Sequence, residues 1–380
     1  MRLAVLLAVL LCSGHAAADL YRWVDPETGS VKFSSYPPPW YGDETKQRRA
    51  PKVEHIPVRG PGASVRVEPA PDAPRGNRSH AAETHQGSAA MSAIRHETVD
   101  SGGVKLHCAV AGEAGRPLML FLHGFPEFWA AWRKPMAYFA ARGWLCVAPD
   151  LRGYNLSDKP EGVEPYRAKH LVADVLAVGA HYSAKPFVLV AHDWGGAVAW
   201  AVAIGHAKRL AKLVMINSPH PYQFWRELLN NPAQQKASEY MNLFRLPKAE
   251  RVLSDNGYAR LMGAFQHLSE EWRAQLVEAW SRPGALTGGL NYYRASPMYP
   301  PTADDPGPQK LQLKPEDFMV RVPTLVIWGD RDTALLTGLL DGLERCVPDL
   351  KLVRAADASH WIVHEKPDLV CSEIAKFTAA

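Results

Sequence analysis

The sequence predicts an α/β protein whose mostly parallel sheet carries helices on both faces. From Ala93 onward, apolar strand-like runs alternate with helix-like runs, which is typical of parallel strands joined by helices. The 380 residues are 47% hydrophobic and 22% charged. This composition is ordinary for a globular enzyme, and the length allows one large α/β domain with additional segments.

Seven apolar runs predict the strands: Val104–Val110, Leu118–Leu122, Leu145–Ala148, Phe187–Ala191, Leu213–Ile216, Thr324–Trp328 and Leu350–Val353. Amphipathic runs between the later strands predict the helices: Lys134–Ala141, Arg167–Tyr182, Ala197–His206, Leu335–Val347 and Pro367–Phe377. The alternation breaks at about 221–321, which is rich in Trp, Tyr, Arg and Leu and reads as mostly helical. Because this insertion follows a strand, we expect it to form a helical cap (lid) over the catalytic edge of a domain spanning 93–380.

Residues 1–18 are typical of a secretory signal peptide. Arg2 supplies a positive charge, residues 3–11 are apolar, and Ala16-Ala17-Ala18 offers a cleavage site. The apolar run is too short to span a bilayer. Leu11 precedes Cys12, where a lipoprotein signal needs a small residue. We therefore expect a periplasmic or secreted protein without a stable membrane anchor.

Residues 19–39 predict a small β-hairpin, because two short strand-like runs flank a turn at Pro26-Glu27-Thr28-Gly29. The pattern from Tyr21 to Pro38 resembles a short domain of unknown function found at the N-terminus of exported bacterial proteins, a resemblance that implies no chemistry. Residues 40–92 are rich in Pro, Gly, Arg, Glu and Ala, and they predict a disordered linker.

The net charge of +4 makes the protein only weakly basic, and the sequence has no dense stripe of Lys and Arg. We therefore expect no nucleic-acid partner. Cys12 would leave with the signal peptide. Cys108 and Cys146 lie in apolar runs and should be buried thiols, whereas Cys346 and Cys371 lie near late helices and could form a disulfide. The cysteine spacings do not resemble a metal site. The oligomeric state stays open.

The segment from Leu189 to Ala197 reads as an apolar strand, a sharp turn and a helix, with Asp193 at the turn. This is the shape of a nucleophile elbow, which presents one side chain at the tip of a strand-to-helix turn. A carboxylate there can attack a saturated carbon and displace its leaving group. The product is an ester of the enzyme, which water must then hydrolyse. Asp193 therefore favours opening of an epoxide or expulsion of a halide over acyl transfer.

A general base for that hydrolysis should follow the last strand, where His360 lies in Ser359-His360-Trp361. Asp332 follows another strand and could fix the tautomer of His360. The chain order of nucleophile, acid and histidine matches that of an α/β-hydrolase. His364 competes with His360, and Asp330 competes with Asp332. We prefer His360 and Asp332.

Backbone amides should stabilise the oxyanion of the tetrahedral intermediate. The expected donors are the amide of Trp194, directly after Asp193, and the amide of Phe125 in the loop after an early strand. An opened epoxide also needs a proton donor, and tyrosine suits this task because its hydroxyl stays protonated at neutral pH. Tyr240 and Tyr293 stand out in the predicted cap.

Six motifs carry a family resemblance: His123-Gly124-Phe125-Pro126-Glu127, His192-Asp193-Trp194-Gly195-Gly196, Asn217-Ser218-Pro219-His220-Pro221, Tyr240-Met241, Gly284-Ala285-Leu286-Thr287 with Asn291-Tyr292-Tyr293-Arg294, and Ser359-His360-Trp361. Over about residues 94–378 the chain resembles the α/β-hydrolase epoxide hydrolases. The resemblance implies an α/β-hydrolase fold, with Asp193 as nucleophile, His360 as base and Asp332 as its partner. It also implies that Tyr240 and Tyr293 protonate the epoxide oxygen.

The resemblance further implies a small-molecule epoxide substrate, a vicinal diol product and no metal or organic cofactor. One departure is Ala191, where glycine is usual before the histidine. A haloalkane or haloacetate dehalogenase is the nearest alternative. Haloalkane dehalogenases commonly carry Asn where this chain has Phe125, and haloacetate dehalogenases carry Arg where it has Trp194. A non-catalytic exported binding protein is the remaining alternative.

Overall fold

The computed structural model describes residues 94–379 and three short strands nearer the N-terminus. These strands, β1 (Leu20–Val24), β2 (Val31–Ser34) and β3 (Glu54–Ile56), form an antiparallel sheet in the order β2-β1-β3. β3 lies within 40–92, so the expectation that this whole segment is a disordered linker is wrong for residues 54–56. Three residues are too few to give a periodic signal, and the strand depends on pairing with β1. The predicted signal peptide lies outside the described residues.

Residues 94–379 contain an eight-stranded sheet in the order β11-β10-β9-β8-β6-β7-β5-β4. Its strands are β4 (Arg95–Ser101), β5 (Val104–Ala111), β6 (Leu118–Leu122), β7 (Leu145–Pro149), β8 (Phe187–His192), β9 (Leu210–Ile216), β10 (Thr324–Gly329) and β11 (Leu350–Ala355). β5 pairs antiparallel with β4 and β7, and the other neighbours pair parallel. The predicted mostly parallel α/β fold is therefore confirmed. The sequence prediction missed β4, whose residues are largely polar and exposed.

The helices before the insertion are α1 (Arg133–Ala140), α2 (Ala168–Tyr182) and α3 (Asp193–Gly205). Between β9 and β10 lie α4 (Pro221–Asn230), α5 (Pro232–Ala237), α6 (Tyr240–Arg245), α7 (Ala249–Met262), α8 (Glu270–Ser281) and α9 (Ala285–Ala295). After β11 come α10 (Ile362–Glu365) and α11 (Pro367–Ala379). α2 packs against α3 and α1 packs against α11, which gives two helical layers around the sheet.

Two helix predictions need correction. The predicted helix Leu335–Val347 is instead two short 3₁₀ turns, Thr337–Leu340 and Leu343–Arg345. Gly342 stands between these turns with φ of +74°, a left-handed conformation that ends a helix. The helix expected from Ala197 begins earlier, at Asp193, because the strand turns directly into it.

The core lies between the sheet and its helices. β6 and β8 are buried along their whole length, and the indoles of Trp132, Trp200 and Trp328 are fully enclosed. Cys346 and Cys371, which could have formed a disulfide, are free thiols, as are Cys108 and Cys146. Within the described part of the chain, no helix is both long and apolar enough to cross a membrane.

The predicted site residues follow parallel strands and therefore lie at one edge of this sheet. β6, β8, β10 and β11 run in the same direction and are followed by the segments that carry Phe125, Asp193, Asp332 and His360. The carboxyl ends of such strands meet at a common edge, where α/β proteins bind ligands. The separation of these residues along the chain is therefore no obstacle to a shared site.

Candidate active site

Asp193 lies at a strained turn between β8 and α3. Its φ of +49° places a non-glycine residue in the left-handed region, as expected for a nucleophile elbow. Gly195 allows this turn because a Cβ there would collide with the carbonyl oxygens of Leu122 and His123. Ala191, where the resemblance expects glycine, is fully buried in β8, and the turn keeps its geometry.

The two oxygens of the Asp193 carboxylate have different surroundings. Oδ1 accepts a hydrogen bond of 2.7 Å from the amide of Phe125, and the amide of Trp194 also donates to the carboxylate. Oδ2 lies 3.7 Å from Nε2 of His360. Burial raises the pKa of Asp193, although His360 and the two amides oppose the increase. Both expected oxyanion donors therefore contact the carboxylate; the Phe125 amide holds Oδ1, while Oδ2 lies closer to the histidine.

His360 connects Asp193 to Asp332. Its Nδ1 lies 2.7 Å from Oδ2 of Asp332, which is the contact predicted for a histidine and its orienting acid. Burial opposes the charged imidazolium, but the charge and hydrogen bond of Asp332 and the charge of Asp193 raise the pKa of His360 to about 9. The histidine is therefore cationic at neutral pH, between two carboxylates.

Asp332 is firmly held by its own loop. Its Oδ1 accepts hydrogen bonds from the amides of Ala334 and Leu335, at 2.8 and 2.9 Å. Nδ2 of Asn217 donates to its Oδ2 at 2.8 Å. Burial disfavours the carboxylate, but His360 and these donors hold the pKa of Asp332 below its usual value. The acid is ionised and its position is fixed.

The two competing residues have other partners. Asp330 forms an ion pair of 2.9 Å with Arg354, and His364 is hydrogen-bonded to the buried carboxylate of Glu127. The structure therefore brings Asp332 and His360 to Asp193, as predicted, and leaves both competitors outside this arrangement.

Tyr240 and Tyr293 line the same cavity as Asp193. This cavity has a volume of about 100 Å³, and the two phenol rings lie 6.2 Å apart between centroids. Burial is the main cause that raises the pKa of both hydroxyls, and the charge of Asp193 raises them further. Both phenols therefore remain protonated and can donate to an oxygen held above Asp193.

Three positioning residues were not identified from the sequence. Asn217 lies in one of the six motifs, and a polar residue directly after β9 is the sequence signal that could have indicated its role. Gln234 of α5 is fully buried; its Nε2 donates to the carbonyl of Ala334 at 2.8 Å, and its Oε1 accepts from the amide of Leu336 at 2.9 Å. No sequence pattern marks this link between the inserted helices and the Asp332 loop.

His192 holds the backbone of the proposed base His360. It precedes Asp193, and its Nε2 donates to the backbone carbonyl of His360 at 2.9 Å. Burial and the nearby cationic His360 lower the pKa of His192 to about 3, so this ring stays neutral. A neutral ring can hold the His360 backbone without adding a second positive charge to the site.

An elbow aspartate, a histidine and an acid at one edge of a mostly parallel sheet define an α/β-hydrolase. A family model described as the alpha/beta hydrolase fold matches residues 117–367. A domain of unknown function, DUF4124, matches residues 7–75, which is a wider segment than the resemblance from Tyr21 to Pro38.

AB hydrolase superfamily protein YfhM of Bacillus subtilis (strain 168) is 37% identical over 287 residues, which cover 74% of this chain and 96% of that protein. Epoxide hydrolase 4 of Mus musculus is 34% identical over 285 residues, which cover 72% and 76%, respectively. The crystal structure of Bacillus megaterium epoxide hydrolase in complex with an inhibitor is similar with a TM-score of 0.69 at 34% identity, over 75% of this chain and 100% of that chain. The chain therefore belongs to the epoxide hydrolase family of α/β-hydrolases.

The raised pKa of His360 predicts a pH dependence of stability. The folded-state pKa of about 9 lies above the ordinary value of 6.5, so folding favours the protonated ring. This stabilisation is fully present below about pH 6.5 and is lost as the pH rises through about 9. We expect the free energy of unfolding, measured in urea, to fall across this range and to fall less in His360→Gln. If the free energy of unfolding had the same pH dependence in the wild-type protein and in His360→Gln, the raised pKa of His360 would be wrong.

Proposed function

We propose that this protein is an epoxide hydrolase that converts epoxides to vicinal diols through an ester on Asp193. The observation that carries the proposal is a single cavity that combines an elbow carboxylate with two protonated phenols. Oδ2 of that carboxylate lies 3.7 Å from His360. Relatives named epoxide hydrolase match this chain over most of the α/β domain, which supports the same reaction class.

In the first step, Oδ2 of Asp193 attacks one carbon of the epoxide ring. A new C–O ester bond forms as the ring C–O bond breaks, and the ring oxygen takes a proton from Tyr240 or Tyr293. The amides of Phe125 and Trp194 orient the carboxylate, so the attack loses little orientational freedom. Acid assistance is needed because an alkoxide is a poor leaving group.

Before the second step, the cationic His360 loses its proton, which restores the phenol that protonated the ring oxygen. The neutral ring then takes a proton from water, and the hydroxide adds to Cγ of Asp193. The amides of Phe125 and Trp194 then stabilise the oxyanion. Its collapse breaks the ester C–O bond, and the departing oxygen takes the proton that His360 removed from water, which releases the diol. Ester formation removes the negative charge of Asp193, which is one of the causes of the raised pKa of His360. Alkylation therefore lowers the pKa of this histidine and prepares it to act as a base.

The surroundings of Asp193 favour an epoxide over a halide. A halide leaves without a proton, whereas two phenols line the cavity at Asp193. The indole of Trp194 packs on Tyr293, with ring centroids 5.0 Å apart, where a haloacetate dehalogenase would offer an arginine. The ordered Asp332, His360 and Asp193 contacts support catalysis rather than a binding shell.

Replacing His360 by Gln should trap the ester. Attack by Asp193 does not need the histidine, whereas hydrolysis does, so an adduct of protein plus epoxide should accumulate after incubation with styrene oxide. Intact-mass spectrometry, followed by peptide mapping to Asp193, measures it. His364→Gln is the matched control and should turn over without an adduct. Diol formation at an unchanged rate in His360→Gln would contradict the proposal.

Removing both cap phenols should slow ring opening. We expect Tyr240→Phe with Tyr293→Phe to lower kcat/KM for styrene oxide by about 10³-fold, since general acid catalysis contributes about 10²–10⁴. Each single substitution should lower kcat/KM by a smaller factor, because the other hydroxyl remains. Tyr258→Phe, in α7 and outside the cavity, is the matched control with unchanged kcat/KM. Full activity of the double variant would exclude both tyrosines as proton donors.

A further inference from the structure

The catalytic cavity adjoins a second, larger cavity. The second cavity has a volume of about 450 Å³, compared with about 100 Å³ for the one that contains Asp193. Both cavities are lined by the same group of residues at their junction: Trp194, Ala197, Pro221, Ser296 and Met298. A molecule whose reacting atoms lie at Asp193 and whose chain passes between these shared residues would reach the larger cavity.

One wall of the larger cavity is a face of α3. Ala197, Ala201 and Ile204 recur at helical spacing along this face, directly after Asp193. Their side chains lack full packing: Ala201 and Ile204 are half-buried, and Ala197 is exposed. The small side chains of Ala197 and Ala201 leave the space beside the helix open.

The opposite wall comes from the chain between α9 and β10. Pro297, Leu311, Leu313 and Phe318 face the cavity from this segment. Among the described residues that line it, none is charged, and the hydroxyl of Tyr292 already donates to the carbonyl of Arg152 at 3.0 Å. The cavity therefore offers apolar surface and little to solvate a charge.

We propose that the larger cavity binds the substituent of the epoxide, and that the preferred substrates are epoxides with an uncharged, extended apolar chain. This inference rests on the proposed function of Asp193. Burial of apolar surface favours each methylene group that enters. A carboxylate at the far end of the chain would lose its hydration without gaining a partner. Met298, an unbranched and flexible side chain at the junction, can adjust to chains of different width.

Chain-length dependence tests the inference. We compare kcat/KM for 1,2-epoxybutane and 1,2-epoxydecane in the full-length protein, with expected gains of about threefold for each added methylene that the cavity encloses. The longer substrate should be favoured by at least about tenfold in total. A ten-carbon epoxide that ends in a carboxylate should lose this advantage.

Ala201→Phe should fill the larger cavity while leaving the catalytic residues in place. We expect the advantage of 1,2-epoxydecane to fall to about threefold or less, with turnover of 1,2-epoxybutane unchanged. Leu313→Trp fills the cavity from the opposite wall and should act in the same way, which guards against a folding defect of the first variant. Ala211→Phe, at an exposed position of β9, is the matched control and should keep the wild-type preference.

Two failures can be told apart. If the wild-type protein turns over both epoxides but Ala201→Phe and Leu313→Trp keep the wild-type ratio, the substituent does not bind in the larger cavity. The inference is then wrong, while the proposed function stands. If the wild-type protein turns over neither epoxide, the proposed function itself is wrong, and the inference falls with it.

Discussion

The left-handed backbone of Asp193 is the constraint on which the rest of the site depends. A φ of +49° is costly for a residue with a side chain, and it persists because β8, α3 and the loop after β6 enclose the turn. The same turn brings the carboxylate to the amides of Phe125 and Trp194. The Phe125 amide fixes Oδ1, and Oδ2 lies 3.7 Å from the histidine. In the proposed mechanism, the strained backbone of Asp193 therefore sets the direction from which its carboxylate attacks.

Three ionisable side chains lie next to one another around this turn. Asp332, His360 and Asp193 alternate in sign at a buried edge of the sheet, where each charge strongly affects the next. Asn217 and the amides of Ala334 and Leu335 fix the acid end. In the proposed mechanism, esterification of Asp193 removes its negative charge and lowers the pKa of His360, so the first covalent step prepares the second.

The cap contacts the Asp332 loop and also lines the cavity at Asp193. Gln234 of α5 binds the backbone on both sides of Leu335, next to the acid. Tyr240 and Tyr293 come from α6 and α9. The inserted helices therefore position both the proposed proton donors and the Asp332 loop.

The sequence predicted the parallel sheet and the residues that meet at its edge, because apolar strands, elbow geometry and chain order are local signals. It missed β4, since a polar edge strand lacks a clear pattern, and it overestimated the helix at Leu335–Val347, which Gly342 interrupts. The roles of Gln234 and of the larger cavity could not be predicted. Both depend on packing between segments that are distant in the chain.

Single turnover in heavy-oxygen water, with protein in excess over styrene oxide, tests the central claim most directly. If Asp193 forms the ester and water attacks its Cγ, the heavy oxygen should appear in the Asp193 carboxylate, found by mass spectrometry of the peptide that contains it. The first diol released should be unlabelled. Heavy oxygen in that first diol, with an unlabelled Asp193, would mean that water opens the ring directly and would contradict the account.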